Sequence, residues 1–173
     1  MEVARIFCGG RGWQLSGLLG HGRTASVFAI GTPQGPRALK LFTRIYLSGH
    51  VGAQRRRHLT SIVAKLEGCD FPHLPRIDEC GPFADTFYMV MRQERGGLLS
   101  ERLGEVLRES IRAIVHQIAS AAHFLEGRGL CHRDIKCANI LISDDFTHAV
   151  LVDIENDLSA QYCSPEYILI LLQ

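Results

Sequence analysis

The hydrophobic pattern of the chain changes at Arg95-Gly96-Gly97. Before that point, short apolar runs alternate with turn residues. After it, residues 109–126 place Ile111, Ile114, Val115, Ile118, Ala122 and Leu125 on one helical stripe. A chain that collects its strands in one half and its long helix in the other belongs to the α+β class. The pattern predicts two lobes, 1–94 and 95–173, with a hinge at about 92–97.

Strands are expected at 13–19, 27–30 and 37–42, the last two separated by the breaker cluster Gly31-Thr32-Pro33-Gln34-Gly35-Pro36. Short turns between them suggest an antiparallel meander. Residues 53–67 read as a helix from the spacing of Leu59, Ile62, Val63 and Leu66, and Phe71-Pro72-His73-Leu74-Pro75 breaks it. Two more strands are expected near 76–80 and 86–91. Gly127 and Gly129 end the long helix, and short strands follow at 140–142 and 150–152.

With 173 residues, the chain can bury a core as one domain or as two small lobes. Its 19 Lys+Arg against 18 Asp+Glu leave a net charge of +1, which argues against a nucleic-acid partner bound by broad phosphate neutralisation. A hydrophobic share of 46% argues against a disordered acidic chain. No apolar run approaches the roughly 20 residues of a membrane span, so no membrane partner is expected. The first residues lack the apolar core of a signal peptide, and the six cysteines include no C-x-x-C pair. Reduced thiols in an intracellular, cytoplasmic setting are the expectation.

His132-Arg133-Asp134-Ile135-Lys136-Cys137-Ala138-Asn139 carries the sharpest chemical signal. Asp134 and Asn139 lie five residues apart in a loop, with Lys136 beside them. Such a set can gather a hydroxyl, a phosphate and a cation in one small volume. This stretch resembles the catalytic loop of the eukaryotic protein kinase family, H-R-D-x-x-x-x-N, and Lys136 is similar to the serine/threonine type.

Further family parts follow in the same order. Gly20-His21-Gly22-Arg23-Thr24-Ala25-Ser26-Val27 resembles the glycine-rich loop, with Ala25 in place of the third Gly. Ala38-Leu39-Lys40 resembles the A-x-K of the third strand. Tyr88-Met89-Val90-Met91 before Gly96-Gly97 resembles the fifth strand and hinge. Val150-Leu151-Val152-Asp153-Ile154-Glu155 stands where D-F-G is usual, Asp153 lying 19 residues after Asp134.

The resemblance implies a bilobal kinase fold, with an antiparallel β-rich first lobe and a C-terminally truncated helical second lobe. It implies ATP and Mg²⁺ as cofactors and a protein substrate carrying Ser or Thr. Leu19, Gly20, His21, Gly22, Arg23, Thr24, Ala25, Ser26, Val27, Ala38, Lys40, Met91 and Leu141 would line the nucleotide. Asn139 and Asp153 would ligate Mg²⁺. Asp134 would accept the hydroxyl proton and Lys136 would stabilise the transferred phosphoryl group. His132 would pack under Asp153, and Arg133 would anchor the loop.

Three departures qualify the resemblance. Glu155 replaces the Gly of D-F-G. The helix at 53–67 offers Arg55, Arg56, Arg57 and His58 where a Glu partner of Lys40 is usual, its one acid being Glu67 near the end. The Arg triplet also reads as a solvated helix face. The chain stops soon after Ser164-Pro165-Glu166, a segment that resembles either A-P-E or an earlier T-P-E-Y element. The apolar run 167–172 is then expected to seek a protein partner. Three readings stay open: an active minimal serine/threonine kinase, a kinase-like pseudoenzyme that binds nucleotide or serves as a scaffold, and an inert remnant of a longer gene. Compression of this kind would suit the genome of a large DNA virus, and the setting would then be host-cell cytoplasm.

Overall fold

The computed structural model describes residues 1–66 and 68–154. Glu155, Glu67, the Ser164-Pro165-Glu166 segment and the 167–172 run lie outside the described residues. The chain divides into two compact units, one of residues 1–70 and 76–93, the other of residues 71–75 and 94–173.

The first unit is built on a five-stranded sheet of order β1-β2-β3-β5-β4, antiparallel throughout. Its strands are β1 (Gln14–His21), β2 (Ala25–Thr32), β3 (Gly35–Phe42), β4 (Ile77–Phe83) and β5 (Thr86–Arg92). Each expected strand is present and longer than its apolar run, because ladder pairing carries the strands into their turns. The register fixes which residues share a face, since directly opposed residues of antiparallel strands point to the same side. Phe28, Leu39 and Val90 form one such row, and Val27, Lys40 and Met89 another on the opposite face.

A helix that the sequence reading did not anticipate, α1 (Glu2–Gly9), covers the first of these faces. Ala4, Phe7 and Cys8 are buried against Phe28, Ile30, Leu39, Leu41, Tyr88 and Val90. The Phe7 ring meets Phe83 edge-on at 5.0 Å and Tyr88 at 4.6 Å. Arg11 closes this cluster: its guanidinium lies 3.8 Å from the Phe7 ring centroid and donates to Glu79 at 3.0 Å and to the Tyr88 hydroxyl at 3.3 Å.

The Tyr88 hydroxyl itself donates to Glu79. Burial, then the Glu79 carboxylate, push its phenol up to about 12. An unfolded Tyr88 would ionise at 10.0. The stability its neutral form contributes is therefore complete below that pH and is lost as pH rises toward the folded value. Alkaline absorbance titration of the folded protein should resolve one late phenol, absent in Tyr88→Phe, with the melting temperature falling across the same interval. Simultaneous ionisation of all four tyrosines near their ordinary value would contradict this arrangement.

Helix α2 (Gly49–Leu66) begins four residues before the expected 53. Gly52 sits so close to the preceding loop that a Cβ there would come within 2.0 Å of the Leu47 carbonyl oxygen. That approach lets the helix start early, with Leu59, Ile62 and Leu66 buried. Arg55 and Arg56 are more than a solvated face. Arg55 donates to the Tyr46 carbonyl at 2.7 Å and stacks on the Tyr46 ring, and Arg56 donates to the Leu47 carbonyl at 2.9 Å. They fasten the loop that leads into α2.

The second unit holds β6 (Gly97–Leu98), α3 (Leu99–Arg102), α4 (Arg108–Glu126), β7 (Ile140–Ile142) and β8 (Ala149–Leu151). The three short strands form an antiparallel sheet of order β6-β7-β8. Helix α4 packs Ile114, Ile118, Ala121 and Leu125 inward, as its stripe requires, but leaves Ile111 of that stripe 47% exposed. Gly96 has φ +109°, and a Cβ on it would meet the Ile142 carbonyl oxygen at 2.0 Å, so only glycine lets the chain enter β6 beside β7.

Candidate functional site

In the first unit, the register collects four of the expected nucleotide residues on the face away from α1, while Ser26, two residues before Phe28, falls with it on the α1 face. Val27 pairs with Lys40, and Ala29 with Ala38. Lys40 pairs with Met89, and Ala38 with Met91. Val27, Ala38, Lys40 and Met91 therefore share one face, joined by Met89, which the sequence reading left unassigned. Lys40 lies on a strand flanked on both sides and is 4% exposed, so it is no solvated edge residue. A lysine is buried to this degree only where partners hold its charge, and its ammonium lies 5.6 Å from the Phe42 ring centroid on the same face.

The glycine-rich segment is the β1–β2 hairpin. Gly20 pairs with Val27 and His21 with Ser26, and a register shift places Leu19 at an irregularity between Leu18 and Gly20. The Gly22 amide donates to the Ala25 carbonyl at 2.9 Å, and His21 Nδ1 lies 2.8 Å from Ser26 Oγ. Arg23 and Thr24 form the tip, where the Thr24 carbonyl accepts from the Thr43 amide at 2.8 Å. Neither Gly20 nor Gly22 has a positive φ. A Cβ on Gly20 would meet nothing within 4 Å, and one on Gly22 only the Ala25 carbonyl at 3.8 Å. The protein's own packing does not demand glycine at either position.

In the second unit, the loop 131–136 and a short 3₁₀ turn, Cys137–Asn139, bring the sharpest motif together. Lys136 Nζ lies 2.7 Å from Asp134 Oδ2. Asn139 Nδ2 donates to the same carboxylate oxygen at 3.0 Å and to the Asp134 main-chain carbonyl at 2.8 Å. With its amide nitrogen so engaged, Asn139 has Oδ1 as its remaining oxygen donor for a cation.

Asp153 follows β8 after one residue, Val152, and the link to the loop is specific. His132, 3% exposed, donates from Nε2 to the Val152 carbonyl at 2.7 Å. That bond places the proton on Nε2 and leaves Nδ1 to accept from the Asp134 amide at 3.4 Å. The Val152 amide in turn donates to the Asn139 carbonyl at 2.9 Å. One buried imidazole thus spans the backbones of Asp134 and of the residue before Asp153. Arg133 and Asp153 both adopt the left-handed backbone, at φ +63° and +64°. Non-glycine residues held there cost about 1–3 kcal/mol each and concentrate at functional sites.

Among the described residues, no group of three His, Cys, Asp or Glu side chains could hold a metal. One carboxylate and one amide oxygen suit Mg²⁺ that arrives with a substrate, since Mg²⁺ takes one or two protein oxygens and completes its shell with phosphates and water. Leu141 pairs with Val150 and Leu98 in the three-stranded sheet and is half-buried. Two residues outside the sequence expectation also engage this region: His73 and Gln117 both hydrogen-bond to β8. Neither stands in a recognisable motif. The one trace in the sequence is a glutamine beside the apolar stripe of α4.

Comparisons with known proteins follow the same lines. The protein kinase domain family matches residues 13–169. The chain is 29% identical over 136 residues to CBL-interacting protein kinase 19 of Oryza sativa subsp. japonica, covering 76% of this chain and 26% of that protein. It is 31% identical over 144 residues to the serine/threonine-protein kinase PknH of Mycobacterium bovis, covering 80% and 24%. It thus spans about a quarter of the length of these relatives. Among solved structures, the Mycobacterium tuberculosis PknI kinase domain superposes with a TM-score of 0.75 at 22% identity, over 90% of this chain and 64% of that one. Rad53 1-466 in complex with AMP-PNP superposes with a TM-score of 0.67 at 24% identity, over 81% and 37%. Among the described residues, no helix is long and apolar enough to cross a membrane. The fold is that of the kinases, and with the family match spanning most of its length the chain belongs to the protein kinase domain family.

Proposed function

We propose that the chain is a serine/threonine protein kinase that transfers the γ-phosphate of ATP to a protein hydroxyl. The observation that carries this reading is the cluster Asp134, Lys136 and Asn139, bonded through one carboxylate oxygen. Residues 1–94 serve as the nucleotide-holding lobe, and residues 95–173 as the catalytic lobe.

Phosphoryl transfer needs mainly positioning and charge stabilisation. Asp134 accepts the proton of the incoming Ser or Thr hydroxyl, and the Asn139 amide keeps that carboxylate oriented toward it. Lys136, paired with Asp134, is the cation beside the transferred phosphoryl group. Lys40 steadies the nucleotide phosphates, under backbone amides of the 20–27 hairpin. Val27, Ala38 and Met91 present an apolar face to the base, with Leu19 beside them, and Leu141 also contributes to binding the base. Asp153 and Asn139 are the residues that would hold Mg²⁺. When bound, that ion neutralises charge on the phosphate oxygens.

A second reading, a kinase-like protein that binds nucleotide or a partner without transfer, rests on α2. Its span Gly49–Leu66 contains no acidic residue, and two of its arginines are committed to the preceding loop. Purified protein given labelled Mg·ATP and a basic protein substrate separates the two. Phosphoserine or phosphothreonine on the substrate, or on the chain itself, is the expected product. Folded protein that binds Mg·ATP and transfers nothing would favour the second reading.

A further inference from the structure

Strand β8 is only three residues long, and Asp153 follows its last residue, Leu151, after Val152 alone. One of its edges pairs with β7. Further bonds to β8 come from residues far away in sequence. His73 Nδ1 lies 3.0 Å from the Ala149 carbonyl oxygen, so the Nδ1–H tautomer donates there. The His73 main-chain carbonyl accepts from the Leu151 amide at 2.9 Å. On α4, Gln117 Oε1 accepts from the Ala149 amide at 2.7 Å, while its Nε2 donates to the Thr147 carbonyl at 2.8 Å. Side chains from two distant segments therefore take both backbone polar groups of Ala149.

The segment carrying His73 is itself anchored within the second unit. Phe71 stacks on Phe124 of α4 at 4.2 Å, and the His73 ring lies 5.2 Å from that of His148. The His73 imidazole thus has a fixed seat from which to hold β8.

We infer that His73 and Gln117 are positioning residues for Asp153. By holding both backbone polar groups of Ala149 they fix the register of β8, and with it the direction in which the chain continues to Asp153. A slip of one residue in so short a strand would turn Asp153 to the other face. The inference rests on the proposed role of Asp153 in holding Mg²⁺ with the nucleotide.

The test compares wild type with His73→Leu, His73→Asn and Gln117→Leu in the whole chain. Asn keeps an N–H donor near the place of Nδ1, and Leu fills the space without one. Two quantities are read: hydrogen exchange of the Val150–Val152 amides without nucleotide, and the Mg²⁺ concentration giving half of the ATP-dependent melting shift. His73→Leu and Gln117→Leu should each speed exchange and raise the Mg²⁺ requirement about tenfold, with His73→Asn close to wild type. Faster exchange at an unchanged Mg²⁺ requirement would make the two residues merely structural and overturn the inference. So would unchanged exchange. If the wild type itself shows no Mg²⁺-dependent response to ATP, the proposed nucleotide site fails, and the inference falls with it. A responsive wild type matched by all variants would sink the inference alone.

Discussion

Asp134→Asn should reduce phosphoryl transfer by about 10²–10⁴-fold, the usual contribution of a positioned general base, while leaving the fold intact. The loop explains why the two effects separate. Asn139 donates to the main-chain carbonyl of residue 134 as well as to its side chain, and an asparagine at 134 still offers a side-chain acceptor. What disappears is the basicity of the carboxylate and its ion pair with Lys136. That pair is half-exposed, so its loss costs about 1 kcal/mol or less. Transfer rates measured beside melting curves check both halves. A variant that retains wild-type transfer would remove Asp134 from the chemistry, and one that fails to fold would contradict the account of the loop.

Phe7→Ala should be the most damaging single change to stability. Phe7 is fully buried and meets Trp13, Phe83 and Tyr88, with the Arg11 guanidinium on its face. Truncating a buried Phe costs about 3–5 kcal/mol, a large fraction of the stability of a small domain. Because α1 is only eight residues long, it has little helical stability of its own and depends on this contact. The expected result is a marked drop in the denaturation midpoint, with loss of protection in the α1 amides. A shift under about 1 kcal/mol would mean that α1 does not cover the sheet as described.

The α1 contact also shows where the sequence was hard to read. Ala4, Phe7 and Cys8 have helical spacing, but Gly9 and Gly10 follow at once, and eight residues give periodicity too little to work with. Helix α4 lies at the other extreme. Its stripe runs five turns, and its observed bounds fall within one residue of the expected ones. The early start of α2 depends on how Gly52 meets Leu47, a tertiary contact that propensity alone argues against.

For the candidate site, Asp134, Lys136 and Asn139 are close in sequence, so their spacing alone suggested the cluster that the structure bonds together, while the roles proposed for them rest on the family resemblance. The shared face of Val27, Ala38, Lys40 and Met91 followed once the strands were paired. His73 and Gln117 were not legible. Their partners are backbone groups 76 and 32 residues away, and a backbone group leaves no mark in the sequence.

The central claim is that Lys40 contributes to ATP binding and that Asp153 contributes to its Mg²⁺ dependence. The most direct measurement is the affinity for ATP, with and without Mg²⁺, of wild type, Lys40→Ala and Asp153→Asn. Charge-assisted contacts of about 1.5–3 kcal/mol correspond to roughly 10–100-fold in affinity. Lys40→Ala should lose that much in either condition, and Asp153→Asn should lose it only when Mg²⁺ is present. Wild-type ATP affinity in both variants, or a wild type indifferent to Mg²⁺, would contradict the claim.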